Sequence, residues 1–368
     1  MSFVEAGPYG AAVRPDPLRR QPCGSLLWRL GAGLCYPANV RILQIGLGRW
    51  GKNHLETWRQ LGVELRLCDE SPKLLAGVGE AASTDYRDFL TEVDAVDVVT
   101  PAPAHASLVY AALVAGKHVL VEKPLTPAAK DGFQLHAEAG RRALVLQVGH
   151  VFRFTPEAQA IAKLVAAGDL GPIRYAVARF SSFKRPRSDG GIALSDGIHF
   201  VDLLSWLLGR QPEAVTATLR DHLGRSLDDV AFLSLEYGDV FGMVEASCFT
   251  PEPKRDLEIM GTQGALRADL LAKSGRLRHY RQRHVQDAHG DWQAETGAVE
   301  EIAVPAAAPL AAELREFVAA CEAGRPSRVA ADGWDGAAAS AVLEAAVLSA
   351  REGRRIPIEL PARDGGPK

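Results

Sequence analysis

The chain has 368 residues, 47% hydrophobic and 24% charged, which is the composition of a folded globular protein. Its 42 lysines and arginines nearly balance 45 aspartates and glutamates, and this balance argues against nucleic acid as a partner, because such binding needs clustered positive charge. No run of 18 apolar residues occurs, so the sequence predicts no membrane-spanning helix and no membrane partner. The length predicts two domains, or at most three.

The first 39 residues are rich in proline and carry a basic pair, Arg19-Arg20, ahead of the apolar Leu26-Leu27-Trp28. Arg29 interrupts the apolar stretch, so a twin-arginine export signal is disfavoured and we expect an irregular extension over 1–39. The cysteines are scattered, odd in number and free of C-x-x-C spacing, which predicts a cytoplasmic protein with neither a disulfide framework nor a metal site: Cys23, Cys35, Cys68, Cys248 and Cys321.

Strands and helices alternate from Val40 to Gly149. Apolar, β-branched runs predict strands, and amphipathic stretches between them predict helices. This alternation is typical of a parallel sheet with helices on both faces. The predicted strands cover 40–45, 63–68, 95–100, 118–121 and 143–148, and the helices cover 52–61, 105–115 and 130–142.

After His150 the pattern changes to several strands with little helix between them. We expect a second α/β domain, with a mostly antiparallel open sheet and helices on one face. The predicted domains are therefore an extension (1–39), a first domain (40–149) and a second domain (150–368). The basic run Arg276–His284 alternates as an edge or surface strand would, protected from aggregation by its charges. Predicted helices cover 156–167, 197–208, 310–323 and 336–351, and strands cover 173–181, 214–219, 230–236, 240–248 and 257–260.

The first strand ends in a G-x-G-x-x-G string formed by Gly46, Gly48 and Gly51, and a helix follows it. In this context the glycines permit a tight turn, a close approach of backbone to a pyrophosphate, and close packing of helix on strand, as in a Rossmann dinucleotide-binding domain. Asp69 ends the next strand, where a carboxylate hydrogen-bonds the ribose hydroxyls of NAD and repels the 2′-phosphate of NADP. The sequence thus predicts NAD as the cofactor rather than NADP.

Two further strings end strands at the same carboxyl edge of the sheet, Thr100-Pro101 with the nearby His105, and Glu122-Lys123. Ligands bind at this edge in doubly wound folds. Together with the glycines and Asp69, the predicted cofactor-binding residues are Arg49, Trp50, Thr100, Pro101, His105, Glu122 and Lys123.

A dehydrogenase needs a group that takes the hydroxyl proton as hydride leaves carbon, and lysine or histidine suits this task. Lys123 and His199 are the candidates, although an isolated lysine at a strand end is usually solvated and an isolated histidine is usually packed. The basic stretch Lys184–Arg187 is either a site for a substrate phosphate or carboxylate, or a solvated loop. The predicted substrate-binding residues are Arg153, Arg187, Asp196 and His199.

These motifs stand in a distinctive order, and together they resemble the glucose-fructose oxidoreductase / inositol dehydrogenase (Gfo/Idh/MocA) family over roughly Val40 to Pro357. The resemblance implies a Rossmann domain, a second domain whose open sheet mediates oligomerisation as a homodimer or homotetramer, and hydride transfer to or from a sugar, cyclitol or related polyol. It also implies that Lys123 is the catalytic lysine, that Pro124 follows a cis bond, and that His199 acts as acid/base or polarises the substrate oxygen. The strings are IGLGRWGKNH, TPAPAH, GKHVLVEKPL, VGHVFRFTPE, GDLGPIRY, SDGIHFVDLLSWLLG, IMGTQGALRAD and PLAAELREF.

One position departs from the family pattern. The family commonly has an acidic residue four positions before the histidine, where this chain has Ser195, and Asp196 follows it as the candidate for the third catalytic role. The motif sequences are most similar to those of the branch that oxidises nucleotide-linked amino sugars at C3. The alternatives are a sugar ketoreductase of deoxysugar biosynthesis and a non-catalytic, dinucleotide-sensing regulator, for which the family has precedent in a galactose regulatory protein.

Overall fold

The structure is a computed structural model that describes residues 40–271 and 276–363. The predicted extension over 1–39, including the basic pair and two of the cysteines, lies outside the described residues. No helix in the described ranges is long and apolar enough to cross a membrane.

The first half of the chain alternates strand and helix, as predicted. Its strands consist mainly of buried apolar residues, because helices cover both faces of the sheet. The elements are β1 (Ile42–Ile45), α1 (Arg49–Leu61), β2 (Leu65–Cys68), α2 (Pro72–Leu75), β3 (Ala81–Ser83), β4 (Ala95–Val98), α3 (His105–Val114), β5 (His118–Glu122), α4 (Ala129–Arg141) and β6 (Leu146–Gly149).

The second half is richer in strand. Its elements are α5 (Pro156–Ala166), β7 (Ile173–Ser181), α6 (Ile198–Leu208), β8 (Ala214–Arg220), β9 (Val230–Tyr237), β10 (Val240–Ser247), β11 (Lys254–Gly261), β12 (Gly264–Asp269), β13 (Arg276–Gln286), β14 (Trp292–Ile302), α7 (Pro309–Ala323), β15 (Ala331–Asp332), α8 (Gly333–Glu352) and β16 (Ile356–Pro357).

Two sheets account for the strands of the described residues. The first has the order β15-β6-β5-β4-β1-β2-β3 and is parallel except for β15, which runs antiparallel to β6. The second has the order β14-β13-β12-β11-β7-β10-β9-β8-β16, in which only β7 and β10 form a parallel pair among the described strands. The predicted fold class, a doubly wound parallel sheet plus a mostly antiparallel sheet, is confirmed.

The basic strand is a surface strand, which is one of the two placements that the sequence predicts. β13 pairs with β12 on one side and with β14 on the other, so it is not an edge strand, although most of its residues are exposed. The edge position belongs to β14, whose glutamates pair with arginines of β13, for example Glu295 with Arg283 at 2.7 Å. The alternating charges of β13 thus form cross-strand ion pairs rather than an edge protected by repulsion.

The chain returns to the first sheet near its end. Leu314 and Phe317 of α7 share a buried cluster with Trp58 of α1, and β15 adds to the first sheet beside β6. The helix α8 then packs on both α4 and β8, and so contacts elements of both halves. The domain division at residue 149 stays a prediction, and the region 309–352 connects its two parts.

Candidate active site

The turn after β1 leaves open space at one glycine and none at the other two. Gly46 has a φ of +102°, and a Cβ there would lie 2.4 Å from the Val99 carbonyl oxygen. A Cβ at Gly51 would lie 2.2 Å from the carbonyl oxygen of Gly46, whereas one at Gly48 would meet nothing within 4 Å. The chain itself therefore requires Gly46 and Gly51, while the backbone at Gly48 is open to a ligand.

The N-terminus of α1 begins directly at this turn. Gly48 is its N-cap, and among the described residues no side chain caps the helix and its first turn has no acidic residue. Its first N–H groups are thus available to an anion. The glycine geometry and this helix end fit the pyrophosphate of a dinucleotide, for which Gly46, Gly48 and Gly51 were predicted.

Asp69 lies beside the turn at the end of β2. Its Oδ2 accepts a hydrogen bond of 2.8 Å from the Leu47 amide, and its Oδ1 accepts one of 2.8 Å from the Ser71 amide. The carboxylate is therefore fixed at the carboxyl edge, next to the predicted pyrophosphate position. Its contact with the ribose of NAD stays a prediction.

The helix α3, which follows β4, begins with a buried histidine. His105 is 1% exposed, and its ring nitrogens lie 2.8 Å from the Pro124 carbonyl oxygen and 2.9 Å from that of Thr100. These contacts favour a positioning role for His105 over the direct cofactor contact that the sequence predicts. The Thr100 hydroxyl, by contrast, is buried without a hydrogen-bond partner among the described residues, and Pro101 is exposed.

Glu122 connects α1 with the end of β5. Its Oε1 accepts a 2.8 Å hydrogen bond from Trp50 Nε1, and its Oε2 accepts one of 3.2 Å from the amide of Lys123. Arg49 and Trp50 are exposed beside the glycine turn. Glu122 itself is 8% exposed, so its contribution to a cofactor site is through these contacts.

Lys123 is partly buried, and the bond to Pro124 is cis, as the family resemblance implies. Its Nζ donates a hydrogen bond to the carbonyl oxygen of Ser195 in the second half of the chain. Burial lowers the pKa of Lys123, and the positive charges of Arg187 and Lys184 add to this effect, against Glu122 and Asp196, which raise it. The neutral amine is therefore more available than in a solvated lysine.

His199 stands in the first turn of α6 and is stacked against two aromatic rings, those of Phe152 at 4.7 Å and Phe180 at 5.5 Å between centroids. Burial lowers its pKa well below the ordinary value, and the charge of Lys123 lowers it further. Neither ring nitrogen hydrogen-bonds to a described residue, and Nδ1 is buried. The imidazole is thus neutral, oriented and free to bind a ligand oxygen.

A single π-helical turn, Ala193–Gly197, leads into α6 and contains Ser195 and Asp196. Such turns are frequent at functional sites. Asp196 is buried and accepts a hydrogen bond from Lys184 Nζ, rather than from Lys123 or His199. The serine contributes its carbonyl oxygen to the lysine, so the side chain at that position is not needed for the contact.

Two predicted substrate-binding arginines are engaged elsewhere. Arg153 is 3% exposed and donates to Asp202 at 2.8 and 2.5 Å and to Asp335 at 3.0 Å. It is therefore part of a buried ion-pair network that links α6 and α8, and its predicted contact with substrate stays a prediction. Arg187 is exposed and forms a bidentate pair with Asp189 at 2.8 and 2.6 Å.

The sequence analysis did not identify Arg255, at the start of β11. Its guanidinium carbon lies 3.2 Å from the Phe180 centroid, on the ring that stacks with His199. Nη1 donates to the backbone carbonyls of Ser181 and Lys254, while Nε and Nη2 make no hydrogen bond to a described residue. Burial lowers the pKa of Arg255 to about 10, against the charge of Asp196. No local sequence pattern marks this residue.

His54 and Asp97 also lie outside the predicted set. His54 is one turn into α1 and Asp97 is in β4; both are 0% exposed and are joined by a 2.9 Å contact. A histidine inside the glycine string's helix and an aspartate inside a buried strand are the signals that could have indicated them, because a buried charge needs a partner.

The fold and site are those of a dinucleotide-binding oxidoreductase. Residues 40–150 match the model described as an oxidoreductase family with an NAD-binding Rossmann fold, and residues 158–267 match the GFO/IDH/MocA C-terminal domain. The chain belongs to the GFO/IDH/MocA family and is an NAD-dependent oxidoreductase. The family, enzyme class and cofactor predicted from the sequence are confirmed.

Named relatives cover nearly the same length. The chain is 31% identical to the UDP-N-acetylglucosamine 3-dehydrogenase of Acidithiobacillus ferrooxidans, over 84% of this chain and 96% of that protein. It superposes on a solved structure of that enzyme with a TM-score of 0.71 at 28% identity, covering 85% of this chain and 98% of the other. It is also 29% identical to the D-apiose dehydrogenase of Paraburkholderia graminis, over 86% of this chain and 88% of that protein.

The glycine turn provides a matched pair of substitutions. Gly51→Ala is expected to lower the free energy of unfolding by about 1–3 kcal/mol, because its methyl group meets backbone at 2.2 Å. Gly48→Ala is expected to keep most of that stability but to weaken NADH binding about tenfold, because its methyl group enters the open space. Urea unfolding and NADH fluorescence titration measure the two effects. Equal stability of the variants, or unweakened binding in Gly48→Ala, would contradict this geometry.

Proposed function

We propose that the chain transfers hydride between NAD and a hydroxyl-bearing carbon of a sugar, cyclitol or nucleotide-linked sugar, with Lys123 and His199 as its catalytic residues. The observation that carries the proposal is the pairing of a lysine from the first sheet with a neutral histidine of α6. The Nζ of Lys123 donates to Ser195, in the turn that leads into His199, and the lysine's charge lowers the pKa of that histidine. From this contact and this electrostatic effect we infer that the two groups flank one cleft at the carboxyl edge of the first sheet.

In the oxidation direction, the neutral amine of Lys123 accepts the proton of the substrate hydroxyl. His199 hydrogen-bonds the same oxygen and stabilises the charge that develops on it. The nicotinamide ring, when bound, supplies the hydride acceptor. In the reduction direction, Lys123 returns the proton to the oxygen as carbon receives the hydride. Asp196 acts through Lys184, which it holds beside the cleft.

The same residues would serve a ketoreductase of deoxysugar biosynthesis, since the two directions share one set of groups. The lowered pKa of Lys123, caused chiefly by burial, disfavours a non-catalytic regulator, in which no neutral amine is needed. Turnover by this chain of any polyol or nucleotide sugar would exclude the regulator, and NADH binding without turnover would favour it.

We further propose that the substrate carries an acidic group, a phosphate or carboxylate, next to the reacting hydroxyl-bearing ring. The free Nε and Nη2 edge of Arg255 has the geometry of a bidentate anion site, beside the His199 stack. Arg187, whose charge Asp189 already compensates, is the second candidate. In a substrate panel followed by NADH absorbance, Arg255→Met should raise KM for acidic substrates about tenfold and leave KM for neutral ones unchanged. An equal rise for both classes would contradict an anion site.

We also propose a homodimer or homotetramer that forms through the outer face of the second sheet. Phe241 and Met243 of β10 are each 50% exposed there, next to Tyr175 of β7 and Phe232 of β9, which are 44% and 49% exposed. A contiguous apolar face of this kind is typical of a subunit interface.

We also propose a cytoplasmic location, because the cysteines among the described residues are free thiols: Cys68, Cys248 and Cys321.

The role of Lys123 predicts a loss of turnover without a loss of cofactor binding. Lys123→Met is expected to lower kcat about 10² to 10⁴-fold and to change NADH affinity by less than about threefold. In the unmodified chain, kcat for oxidation should rise with pH through a midpoint below lysine's ordinary 10.5, and this rise should be missing from the variant. Lys130→Met, an exposed lysine on α4, is the control. Unchanged turnover in Lys123→Met would overturn the assignment.

The interface proposal predicts a change of mass in solution. Glutamate at both Phe241 and Met243 places two charges on the apolar face, so light scattering after size exclusion should show a smaller species than the unmodified chain. Tyr110→Glu on α3, an equally exposed aromatic residue outside the second sheet, should leave the mass unchanged. A double variant that retains the full mass would place the interface elsewhere.

A further inference from the structure

A row of buried charged groups runs from β4 through α1 to the end of β5. His54 Nδ1 lies 2.9 Å from Asp97 Oδ2, and His54 Nε2 lies 3.3 Å from Glu122 Oε1. His54 and Asp97 are fully buried and Glu122 is nearly so. Trp58 Nε1 donates to the same Asp97 oxygen at 2.7 Å. This row is continuous with the residues around Lys123, and the proposed mechanism does not use it.

The geometry requires His54 to be an imidazolium. Each ring nitrogen faces a carboxylate oxygen, so both nitrogens must donate, and a neutral ring has only one N–H. Burial opposes the charge, but Asp97 and then Glu122 overcome it and raise the pKa of His54 to about 10. The charge of the imidazolium therefore persists well above neutral pH.

The charge on Glu122 depends on this histidine. Burial favours the neutral carboxyl, but the hydrogen bond and charge of His54, together with the charge of Lys123 and the hydrogen bond of Trp50, outweigh burial and lower the pKa of Glu122. Glu313, on α7, shows the effect of burial without such a partner: burial and then the charge of Glu122 raise its pKa well above the ordinary value, and both its oxygens lack partners among the described residues. The pKa values of two nearby buried carboxyls thus shift in opposite directions, and only Glu122, with the lowered pKa, has hydrogen-bond partners in the described part of the chain, the imidazolium among them.

The ionised Glu122 joins the cofactor turn to the catalytic lysine. Its Oε1 accepts hydrogen bonds from the side chains of Trp50 and His54, both on α1, and its Oε2 accepts one from the amide of Lys123. Its position is tightly enclosed, because a Cβ at Gly149 would lie 2.8 Å from its Oε1. A shift of the carboxylate would therefore move α1 and Lys123 relative to each other.

We propose that His54 is a positioning residue that keeps Glu122 ionised. The ionised Glu122 thereby fixes the position of the proton-accepting lysine relative to the dinucleotide-binding turn. This inference depends on the proposed role of Lys123. It assigns a function to the histidine that follows the glycine string. Asp97, His54 and Glu122 then help to position the catalytic lysine, in addition to being buried in the first half of the chain.

The proposal has an electrostatic consequence at Lys123. Its charged and titratable neighbours are Glu122 on β5, Asp196 in the π-helical turn, Arg187, Lys184 and Asp189 in the loop after β7, and the histidines His150 and His199. Without the imidazolium, Glu122 loses the partner that contributes most to its lowered pKa, and a Glu122 that takes up a proton removes from Lys123 one of the negative charges that raise the lysine's pKa. The midpoint of the kcat profile should then move to lower pH.

The test compares His54→Gln and Glu122→Gln with the unmodified chain and with His284→Gln, an exposed histidine of β13. Both variants should move the kcat midpoint to lower pH by about half a unit to one unit. They should also lower the plateau of kcat about ten- to a hundredfold, with KM changed by less than about threefold, because the base is misplaced while the substrate pocket persists. The control should match the unmodified chain. A role in packing alone would lower the plateau and leave the midpoint in place.

A measurement without substrate tests the charge on His54 separately. A folded-state pKa raised from 6.5 to about 10 contributes stability that is complete below pH 6.5 and is lost as pH rises to 10. The melting temperature of the unmodified chain should therefore fall over this range relative to that of His54→Gln. Glu122→Gln retains the side-chain shape and tests the kinetic midpoint if His54→Gln does not fold.

The outcomes separate this proposal from the function on which it depends. A kcat midpoint at the unmodified pH in both variants, or a stability difference that does not change with pH, overturns the role of His54 alone. Turnover that survives in Lys123→Met overturns the base assignment and this proposal together.

Discussion

The arrangement of the site depends on the buried negative charge of Glu122, which is shielded from solvent. Glu122 is a carboxylate at the end of a buried strand, and the hydrogen-bond donors that converge on it from α1 and from the Lys123 amide, together with the charges of His54 and Lys123, stabilise its ionised form. A buried carboxylate without partners costs several kcal/mol, so the sequence must supply these donors together or not at all. Because two of these donors, Trp50 and His54, lie on α1, the helix that begins at the cofactor turn also contacts the residue directly before Lys123.

The second half of the chain completes the site by returning to the first. Helix α6 brings His199 to the carboxyl edge of the first sheet, and the π-helical turn before it offers a backbone carbonyl to Lys123. Arg153 fixes α6 through Asp202 and α8 through Asp335, and α8 packs on elements of both halves. This buried arginine with its two carboxylates thus fixes the position of the helix that carries His199.

Local sequence patterns predicted most of the buried strands and helices. The features that they missed depend on contacts between residues far apart in the sequence or lie on exposed strands. The buried apolar strands and the glycine string were found because their period and composition are local properties. The exposed strand β14 was missed because its polar sequence has no buried face, and the return of α7 and β15 to the first sheet has no local signal. In the site, motifs indicated Lys123 and His199. Arg153 and His105 were predicted to contact ligands, and in the structure each side chain hydrogen-bonds to other residues of the chain. The His54–Asp97 contact joins residues 43 positions apart, which no spacing rule predicts.

The substitution at position 195 has a structural explanation, because Lys123 contacts the backbone carbonyl there and Lys184 occupies the neighbouring carboxylate of Asp196. The proposed mechanism requires one cleft, between Lys123 and His199, to receive both the nicotinamide ring and the reacting carbon. A crystal structure with NADH bound tests this most directly. It should show the pyrophosphate over Gly48 at the start of α1 and the nicotinamide ring between Lys123 and His199. A nicotinamide ring outside that cleft, or a pyrophosphate away from Gly48, would contradict it.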